Sequence, residues 1–298
     1  MMPDGGYSRP SAKAGGRFVF DLSLLAVIRS RSILRSDTTG HRAMTQSAIA
    51  AADELWRQVR REAEDVVASD PVFGASLAQA VLDHADLAGA VSHQIGERLG
   101  RSPADRLRLA RIAREVFAGS PDLVEAATRD LQGIAVHDPA TRGFLLPLLN
   151  FKGYVALQAW RVSNWLWREG RTDLALLLQS LSSDQLQVSI HPSASIGISV
   201  FLDHDTGIII GAFAVIGDGV TILQNVTIGR NPSDPDRAPR IGRGVLLSTG
   251  ATIVGDVSVG DFAKIGAGAV VEHDVPGGCT AVGVPARLTN CPEPGVFA

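Results

Sequence analysis

Apolar residues follow two different periodicities along the chain, and these divide it into two regions. From Thr45 to about Gln185 they recur every three or four positions, as in residues 52–67, with charged residues between them. This spacing is typical of amphipathic helices. Further helices are predicted in residues 72–99, 102–118 and 122–134, and two more in residues 145–181, broken near Gly170. The last stretch holds Trp160, Trp165 and Trp167, which we interpret as the best-packed part of a helical core.

After residue 187 the period changes to six. Every sixth position is aliphatic, with Ala214 the one weak member, in the series Ile190, Ile196, Leu202, Ile208, Ala214, Val220 and Val226, and then Ile241, Leu247, Ile253, Val259, Ile265 and Val271. A six-residue period fits neither an α-helix nor a hairpin meander. It predicts a coil of short parallel strands whose aliphatic residues point to the axis and whose small residues occupy the corners.

Glycine and a loop mark the same region. Residues 187–278 contain 15 glycines and only three aromatic residues, which fits a coil with no room for large side chains. The step from Val226 to Ile241 is 15 residues, so a polar, proline-rich loop of about nine extra residues leaves the coil there. Long loops on rigid scaffolds often serve a site. The flat faces of such a coil also predict burial against further copies of the chain.

Charge, hydropathy and cysteine content exclude several classes of protein. A net charge of -3 provides no global field to attract nucleic acid or a membrane surface. The apolar stretch at residues 18–28 is too short to span a bilayer. Cys279 and Cys291 form neither a CxxC pair nor a disulfide framework, which favours a reducing cytoplasm. The coil histidines His191, His204 and His273 include no close ligand pair, so we expect no metal site.

Four stretches carry a resemblance to a known family. They are FKGYVALQA at residues 151–159, IHP at 190–192, LDHDTG at 202–207 and GVPAR at 283–287. With the hexapeptide repeat and the helical region before it, they make the chain similar to serine O-acetyltransferases over roughly residues 55–288. The resemblance implies an α+β protein, in which an N-terminal all-helical domain precedes a left-handed parallel β-helix with one protruding loop. The expected boundaries are a flexible extension at 1–44, helices at 45–186, the β-helix acyltransferase domain at 187–276 and a C-terminal tail at 277–298.

The resemblance also implies a reaction and a set of site residues. An acetyl group would pass from acetyl-CoA to the hydroxyl of L-serine, a step of cysteine biosynthesis. A serine hydroxyl needs a base at neutral pH, and histidine suits that role; the family's base falls on His204. Its ammonium-binding aspartates fall on Asp138 and Asp203, and its carboxylate-binding arginine falls on Arg237.

The expected co-substrate site and assembly follow from the same resemblance. The residues that would contact CoA are Gly250, Ala251, Gly266, Ala267, Gly268, Ala269 and Arg287. No metal is implied. The implied assembly is a homotrimer with active sites between neighbouring coils, or a hexamer made of two such trimers.

Several positions depart from the family pattern. Ser189 replaces the aspartate that orients the catalytic histidine, and Ala238 replaces a histidine that contacts the amino acid. The stretch Gly211–Ala214 also differs, and the C-terminus lacks the isoleucine that docks into cysteine synthase, so that complex is not expected. Two alternatives therefore stand beside serine acetylation: a CoA-dependent acyltransferase for another small hydroxy- or amino-bearing acceptor, and a weakly active regulatory paralogue.

Overall fold

The computed structural model describes residues 46–70, 72, 74–138, 140–230 and 237–293. The predicted N-terminal extension at 1–44 lies outside these residues, as do residues 231–236 of the predicted loop. Within the described residues, no helix is both long and apolar enough to cross a membrane.

Eight α-helices make up the first half of the described chain. They are α1 (Gln46–Ser69), α2 (Gly74–Leu77), α3 (Leu87–Leu99), α4 (Pro103–Gly119), α5 (Pro121–His137), α6 (Leu145–Asn150), α7 (Lys152–Arg168) and α8 (Thr172–Leu186). The single stretch predicted at 72–99 is divided, because α2 continues into a wider π-helical turn at Ala78–Leu82 and α3 begins separately with Asp86 as its cap. The predicted break near Gly170 is confirmed. Gly170 lies between α7 and α8 and adopts the left-handed region at φ 76°.

Helix α7 joins the helical region to the coil. Most of its side chains are buried, including Tyr154 and Trp160, which agrees with a core role for this stretch. Trp160 Nε1 donates to the carbonyl of His191, 3.2 Å away, in the first turn of the coil. Arg161 forms a buried ion pair of 2.7 Å with Asp130 of α5 and donates to the carbonyl of Gly197. The first turn of the coil is therefore fixed to α7 by buried polar contacts.

The second half is a parallel β-helix, as predicted. Its strands are β1 (Val188–Ile190), β2 (Ser195–Ile196), β3 (Phe201–Asp203), β4 (Ile208–Ile210), β5 (Val215–Ile216), β6 (Thr221–Leu223), β7 (Thr227–Gly229), β8 (Arg240–Ile241), β9 (Leu246–Leu247), β10 (Thr252–Val254), β11 (Ser258–Val259), β12 (Lys264–Ile265), β13 (Val270–Val271), β14 (Thr280–Val282) and β15 (Arg287–Thr289). Up to β13, every third strand joins the same sheet: β1, β4, β7, β10 and β13 form sheet A, β2, β5, β8 and β11 form sheet B, and β3, β6, β9 and β12 form sheet C, which β14 and β15 extend. The three sheets are the sides of a prism, and the chain turns a corner each time it passes from one sheet to the next.

The strand register corrects the predicted series at one corner. Ile210 pairs with Ile228, 18 residues later, which is three repeats of six. Val188, however, pairs with Ile208, 20 residues later, so two extra residues lie in the corner between β3 and β4. The six-residue series of strand residues therefore runs through Ile210 and Ile216, and Ile208 and Ala214 occupy the buried position two residues before it. The weak member of the predicted series reflects this shift, and the later loop adds seven residues rather than about nine, since Ile228 pairs with Ile253.

The described part of the predicted C-terminal tail, from residue 277 to residue 293, continues sheet C. Strand β14 extends sheet C by pairing in parallel with β12, and β15 returns antiparallel to β14. A disulfide joins Cys279, just before β14, to Cys291, just after β15. The sequence showed no disulfide framework, and this single disulfide forms because the hairpin brings together two residues that the sequence separates by 12 positions.

Candidate active site

The corners between sheet C and sheet A stack into one continuous edge, which we call the C-to-A edge. It consists of residues 204–207, 224–226, 248–251 and 266–269 in successive turns. Backbone hydrogen bonds link these corners, from Asn225 N to Thr206 O (2.8 Å), from Gly250 N to Gln224 O (2.9 Å) and from Gly268 N to Thr249 O (2.9 Å). Since neighbouring strands lie about 4.8 Å apart, the edge runs about 15 Å from the first corner to the fourth.

His204 lies in the first corner of this edge, the one with two extra residues. Its backbone adopts the left-handed region at φ 50°, and its side chain is 78% exposed. Non-glycine residues seldom adopt this conformation, and they keep it where the surrounding structure fixes it. The imidazole Nε2 lies 3.7 Å from Asp203 Oδ1, which is too long for a hydrogen bond but close enough for a charge interaction.

Asp138 reaches the same corner from the helical region. It follows the end of α5, where its carboxylate accepts hydrogen bonds from the Thr141 hydroxyl (2.5 Å) and the Ala140 amide (2.8 Å). The bond from Thr141 lowers the pKa of the Asp138 carboxyl most, and the Ala140 amide and the charge of nearby His204 lower it further. The structure thus places Asp203 3.7 Å from the exposed imidazole of His204 and Asp138 within range of its charge.

Arg237 lies on a different edge of the prism. It precedes β8, where the chain passes from sheet A to sheet B, and its Nη1 forms a 2.9 Å ion pair with Asp256 Oδ2 of the next turn. A cavity of about 400 Å³ opens there, lined by Phe213, Arg237, Ala238, Arg240 and Asp256. Within one chain, the predicted carboxylate-binding arginine is therefore not part of the cluster at His204.

The predicted CoA-contacting residues follow the C-to-A edge above His204. Ala267 and Gly268 are exposed, and Gly250 and Gly266 are partly exposed. Ala251 and Ala269 have no exposed surface, because their methyl groups face the axis of the coil, so a ligand at this edge meets their backbone and not their side chains. A side chain at Gly268 would meet open space, which leaves this corner accessible from outside.

Arg287 lies at the far end of the same edge. It is an exposed residue of β15, paired with Val282 of β14. The hairpin between these strands returns to the coil, since Ala286 N donates to Val270 O and Val270 N donates to Gly283 O. The hairpin therefore lies beside the corner at residues 266–269.

Ser189 and Ala238, two positions that depart from the family pattern, have defined surroundings in the structure. Ser189 Oγ accepts a hydrogen bond of 3.2 Å from Gln179 Nε2 of α8. In the described part of the chain, the polar side chain in contact with His204 is that of Asp203. Ala238 is buried at the wall of the Arg237 cavity.

Sequence reasoning missed an ion pair next to His204. Lys152, the first residue of α7, lies 3.1 Å from Asp205, whose side chain is only 5% exposed. The sequence signal that could have found it is the FKG stretch together with the two extra residues in the His204 corner.

Among the described residues, no group of three or more His, Cys, Asp or Glu side chains converges as a metal site would require.

Comparisons with known proteins identify the family. Residues 55–159 match the family model "Serine acetyltransferase, N-terminal", and residues 238–273 match the bacterial transferase hexapeptide model. Serine acetyltransferase of Salmonella typhimurium is 40% identical over 239 residues, which cover 80% of this chain and 88% of the relative. The solved structure of soybean serine acetyltransferase complexed with serine is 41% identical, has a TM-score of 0.77, and is matched over 80% of this chain and 99% of its own. The serine acetyltransferase of Brucella abortus in complex with coenzyme A is 40% identical, with a TM-score of 0.78 and coverage of 82% and 99%. The chain belongs to the serine acetyltransferase family.

Proposed function

We propose that this protein transfers the acetyl group of acetyl-CoA to the hydroxyl of L-serine and so forms O-acetylserine for cysteine biosynthesis. The observation that carries the proposal is the cluster of Asp138 and Asp203 around the exposed His204 in a chain of this family. The relatives' complexes with serine and with coenzyme A support the same pair of substrates.

His204 acts as the general base in this proposal. It takes the proton of the serine hydroxyl as the oxygen attacks the thioester carbon, and it returns a proton to the CoA thiolate as that group leaves. The negative charge of Asp203, 3.7 Å from Nε2, stabilises the imidazolium that forms between the two steps. The exposure of the imidazole leaves room for both substrates to approach it.

The amino acid is held by opposite charges at its two ends. Asp138 and Asp203 bind the ammonium group beside His204, and Arg237 binds the carboxylate through its paired N–H donors. Because Arg237 lies on another edge of the same chain, it reaches the substrate only from a neighbouring copy. This geometry supports a homotrimer with sites between coils. Pairing of two trimers into a hexamer remains an expectation from the family resemblance.

Acetyl-CoA binds along the C-to-A edge. This edge presents exposed Ala267 and Gly268 and an accessible backbone, and its length of about 15 Å suits an extended pantetheine arm lying across successive turns. The thioester then lies near His204 and the phosphates near the β14–β15 hairpin, where Arg287 supplies a positive charge.

A second candidate function rests on the cavity beside Ala238. The cavity of about 400 Å³ is lined by two arginines, Arg237 and Arg240, and a small side chain at position 238 leaves it open. These features favour a larger, anionic acceptor that carries a hydroxyl or amino group. The reaction and the role of His204 would be the same.

The proposed location is the cytoplasm, where acetyl-CoA is made and consumed. The disulfide between Cys279 and Cys291 is unusual for that compartment, since cytosolic reductants keep most thiols reduced. We therefore expect cytosolic reductants to convert this disulfide to two thiols there.

The test of the proposed function is a direct assay of the purified protein. Acetyl-CoA and L-serine are supplied together, CoA release is followed with a thiol reagent, and O-acetylserine is identified by mass spectrometry. A reaction without acceptor corrects for hydrolysis. Release that depends on serine supports the proposal, release with only larger anionic acceptors supports the second candidate, and silence across a panel of hydroxy and amino compounds indicates a regulatory paralogue.

A further inference from the structure

His204 and Asp205 are adjacent residues of the corner between β3 and β4, but their side chains differ in exposure. The side chain of His204 is 78% exposed, whereas that of Asp205 is 5% exposed and lies against helix α7. A buried carboxylate is costly unless charges and hydrogen bonds compensate it. The contacts of Asp205 therefore indicate what holds this corner in place.

The first partner of Asp205 is the N-terminus of α7. The carboxylate of Asp205 lies at the first turn of this helix, near enough to the backbone N–H of Gly153 for that amide to lower the pKa of the Asp205 carboxyl, although the two residues are 52 positions apart in sequence. Phe151, at the N-cap position, provides no side-chain hydrogen bond of its own. A Cβ at position 153 would lie 2.5 Å from Asp205 Oδ2 and 2.4 Å from Leu202 O, so glycine is what lets helix and corner approach this closely.

The second partner is Lys152, which contacts both the His204 corner and the end of α8. Its Nζ lies 3.1 Å from Asp205 Oδ1, donates to Thr206 Oγ1 at 2.6 Å, and donates to the carbonyl of Leu186 at 3.2 Å. A lysine in the first turn of a helix is opposed by the helix dipole, and a carboxylate at the same place offsets this. Burial raises the pKa of the Asp205 carboxyl, while Lys152 and the Gly153 amide act in the opposite direction.

These contacts fix the two residues that follow His204. Thr206 N also donates to His204 O within the corner. The left-handed backbone of His204, at φ 50°, is thus followed directly by two residues that are tied to α7. The direction in which the imidazole projects depends on that backbone conformation.

We infer that Asp205 is a positioning residue: through Lys152 and the N-terminus of α7 it holds the corner that aims His204 at the substrates. This inference rests on the proposed function only for the role of His204 as base. Asp205 does not touch the substrates, because its carboxylate lies beneath α7. We call the contacts of Asp205 with Lys152 and with the N-terminus of α7 the clamp. Loss of the clamp leaves the imidazole present but free to leave its productive orientation, and misplacement of a reacting group by about 1 Å can lower a rate about 100-fold.

The variants that test the inference are Asp205→Asn and Lys152→Met. Asp205→Asn keeps an acceptor for the Gly153 amide and removes the charge, while Lys152→Met keeps the aliphatic length of a side chain that is 32% exposed. Asp261→Asn is the matched control. Asp261 accepts a hydrogen bond from the backbone N–H of Arg243, and its carboxylate forms an ion pair of 2.7 Å with the Arg243 guanidinium. It also lies close to a glycine, Gly242. Asp261 is nevertheless in a corner between sheets B and C, on a different edge from His204.

The expected kinetic result is a fall in kcat of about 10- to 100-fold for Asp205→Asn and Lys152→Met, with the KM for acetyl-CoA within about twofold of the wild type. The double variant should be no worse than the more affected single variant, because both changes break one clamp. Asp261→Asn should leave kcat unchanged. Equal kcat in the clamp variants and the control would overturn the inference, as would losses that simply multiply in the double variant.

Hydrogen exchange provides a readout that does not need activity. Amides of residues 203–207 should exchange at least about tenfold faster in Asp205→Asn and Lys152→Met than in the wild type, and at the wild-type rate in Asp261→Asn. If the wild type does not acetylate serine but this exchange pattern is found, the proposed function fails and the clamp stands. If serine is acetylated but neither exchange nor kcat changes, the clamp fails and the proposed function stands. Should Asp205→Asn not fold, Lys152→Met alone decides between these outcomes.

Discussion

Arg237 and Asp256 form an ion pair of 2.9 Å across neighbouring turns of the coil, at an edge that does not carry His204. Both side chains are more than half exposed, so the pair contributes little to stability, about 1 kcal/mol or less. If Arg237 binds the substrate carboxylate as proposed, Asp256 competes with that carboxylate for the guanidinium of Arg237.

We predict that Arg237→Ala lowers kcat/KM for serine about 10- to 100-fold, mainly through KM, because a charge-assisted contact to the carboxylate is lost. Asp256→Asn removes the competitor and should leave the KM for serine the same or lower. Steady-state kinetics with serine varied at saturating acetyl-CoA measures both. A rise in KM for Asp256→Asn as large as that for Arg237→Ala would show that the ion pair, and not the substrate contact, matters.

Mixed assemblies test whether the site lies between copies. We predict that His204→Ala and Arg237→Ala chains, assayed at serine concentrations well below KM so that each alone has little activity, recover about a quarter of the wild-type rate when co-assembled in equal amounts, since a quarter of the interfaces then join an intact His204 to an intact Arg237. Co-expression with two different tags isolates the mixed species for assay. As a control, His204→Ala co-assembled with a chain carrying both changes should stay inactive. No recovery in the first mixture would mean that both residues act within one chain.

Because Ser189 and Ala238 depart from the family pattern, restoring the family residue at each position should improve a different kinetic parameter with serine. Ala238→His should lower the KM for serine several-fold by adding a donor to the Arg237 cavity, and Ser189→Asp should raise kcat by adding a charge near the general base. Ala238→Leu fills the same space without a donor and serves as the control. If neither gain appears, or if the leucine variant matches the histidine variant, these two positions do not limit the use of serine.

The disulfide predicts a local effect at the far end of the C-to-A edge. Cys291→Ser, or reduction of the wild type, should speed hydrogen exchange in β14 and β15 and raise the KM for acetyl-CoA several-fold, because Arg287 is no longer held. A cross-link that closes a loop of this length contributes about 3 kcal/mol, and here it acts on a hairpin at the end of the coil. Unchanged exchange and unchanged KM after complete reduction, verified by alkylation of both thiols, would contradict this prediction.

Much of the fold follows from the sequence because the repeat is strict. The coil needs an aliphatic residue at every sixth position, and that demand is visible without a structure. The register shift was hidden because Ile208, Ile209 and Ile210 are consecutive, so a count that stops at Ile208 instead of Ile210 still finds an aliphatic residue. The alanine at 214 was the one sign of the shift.

The site was harder to predict, because its parts meet only in three dimensions. In the sequence, Asp205 resembles an ordinary polar corner residue. Its role depends on the contact with α7, and the sequence does not show that a helix about 50 residues earlier packs against this corner. Cys279 and Cys291 likewise meet through a hairpin whose strands are three residues long. The separation of Arg237 from His204 depends on which sheets each corner joins, which the repeat length alone does not state.

The most direct test of the account is the turnover of His204→Ala with acetyl-CoA and L-serine, measured as O-acetylserine formed per active site. A general base of this kind contributes about 100- to 10,000-fold. The account predicts a loss of kcat in that range with hydrogen exchange of the coil unchanged and with acetyl-CoA still bound. A variant that folds, binds acetyl-CoA and retains a rate close to that of the wild type would contradict it.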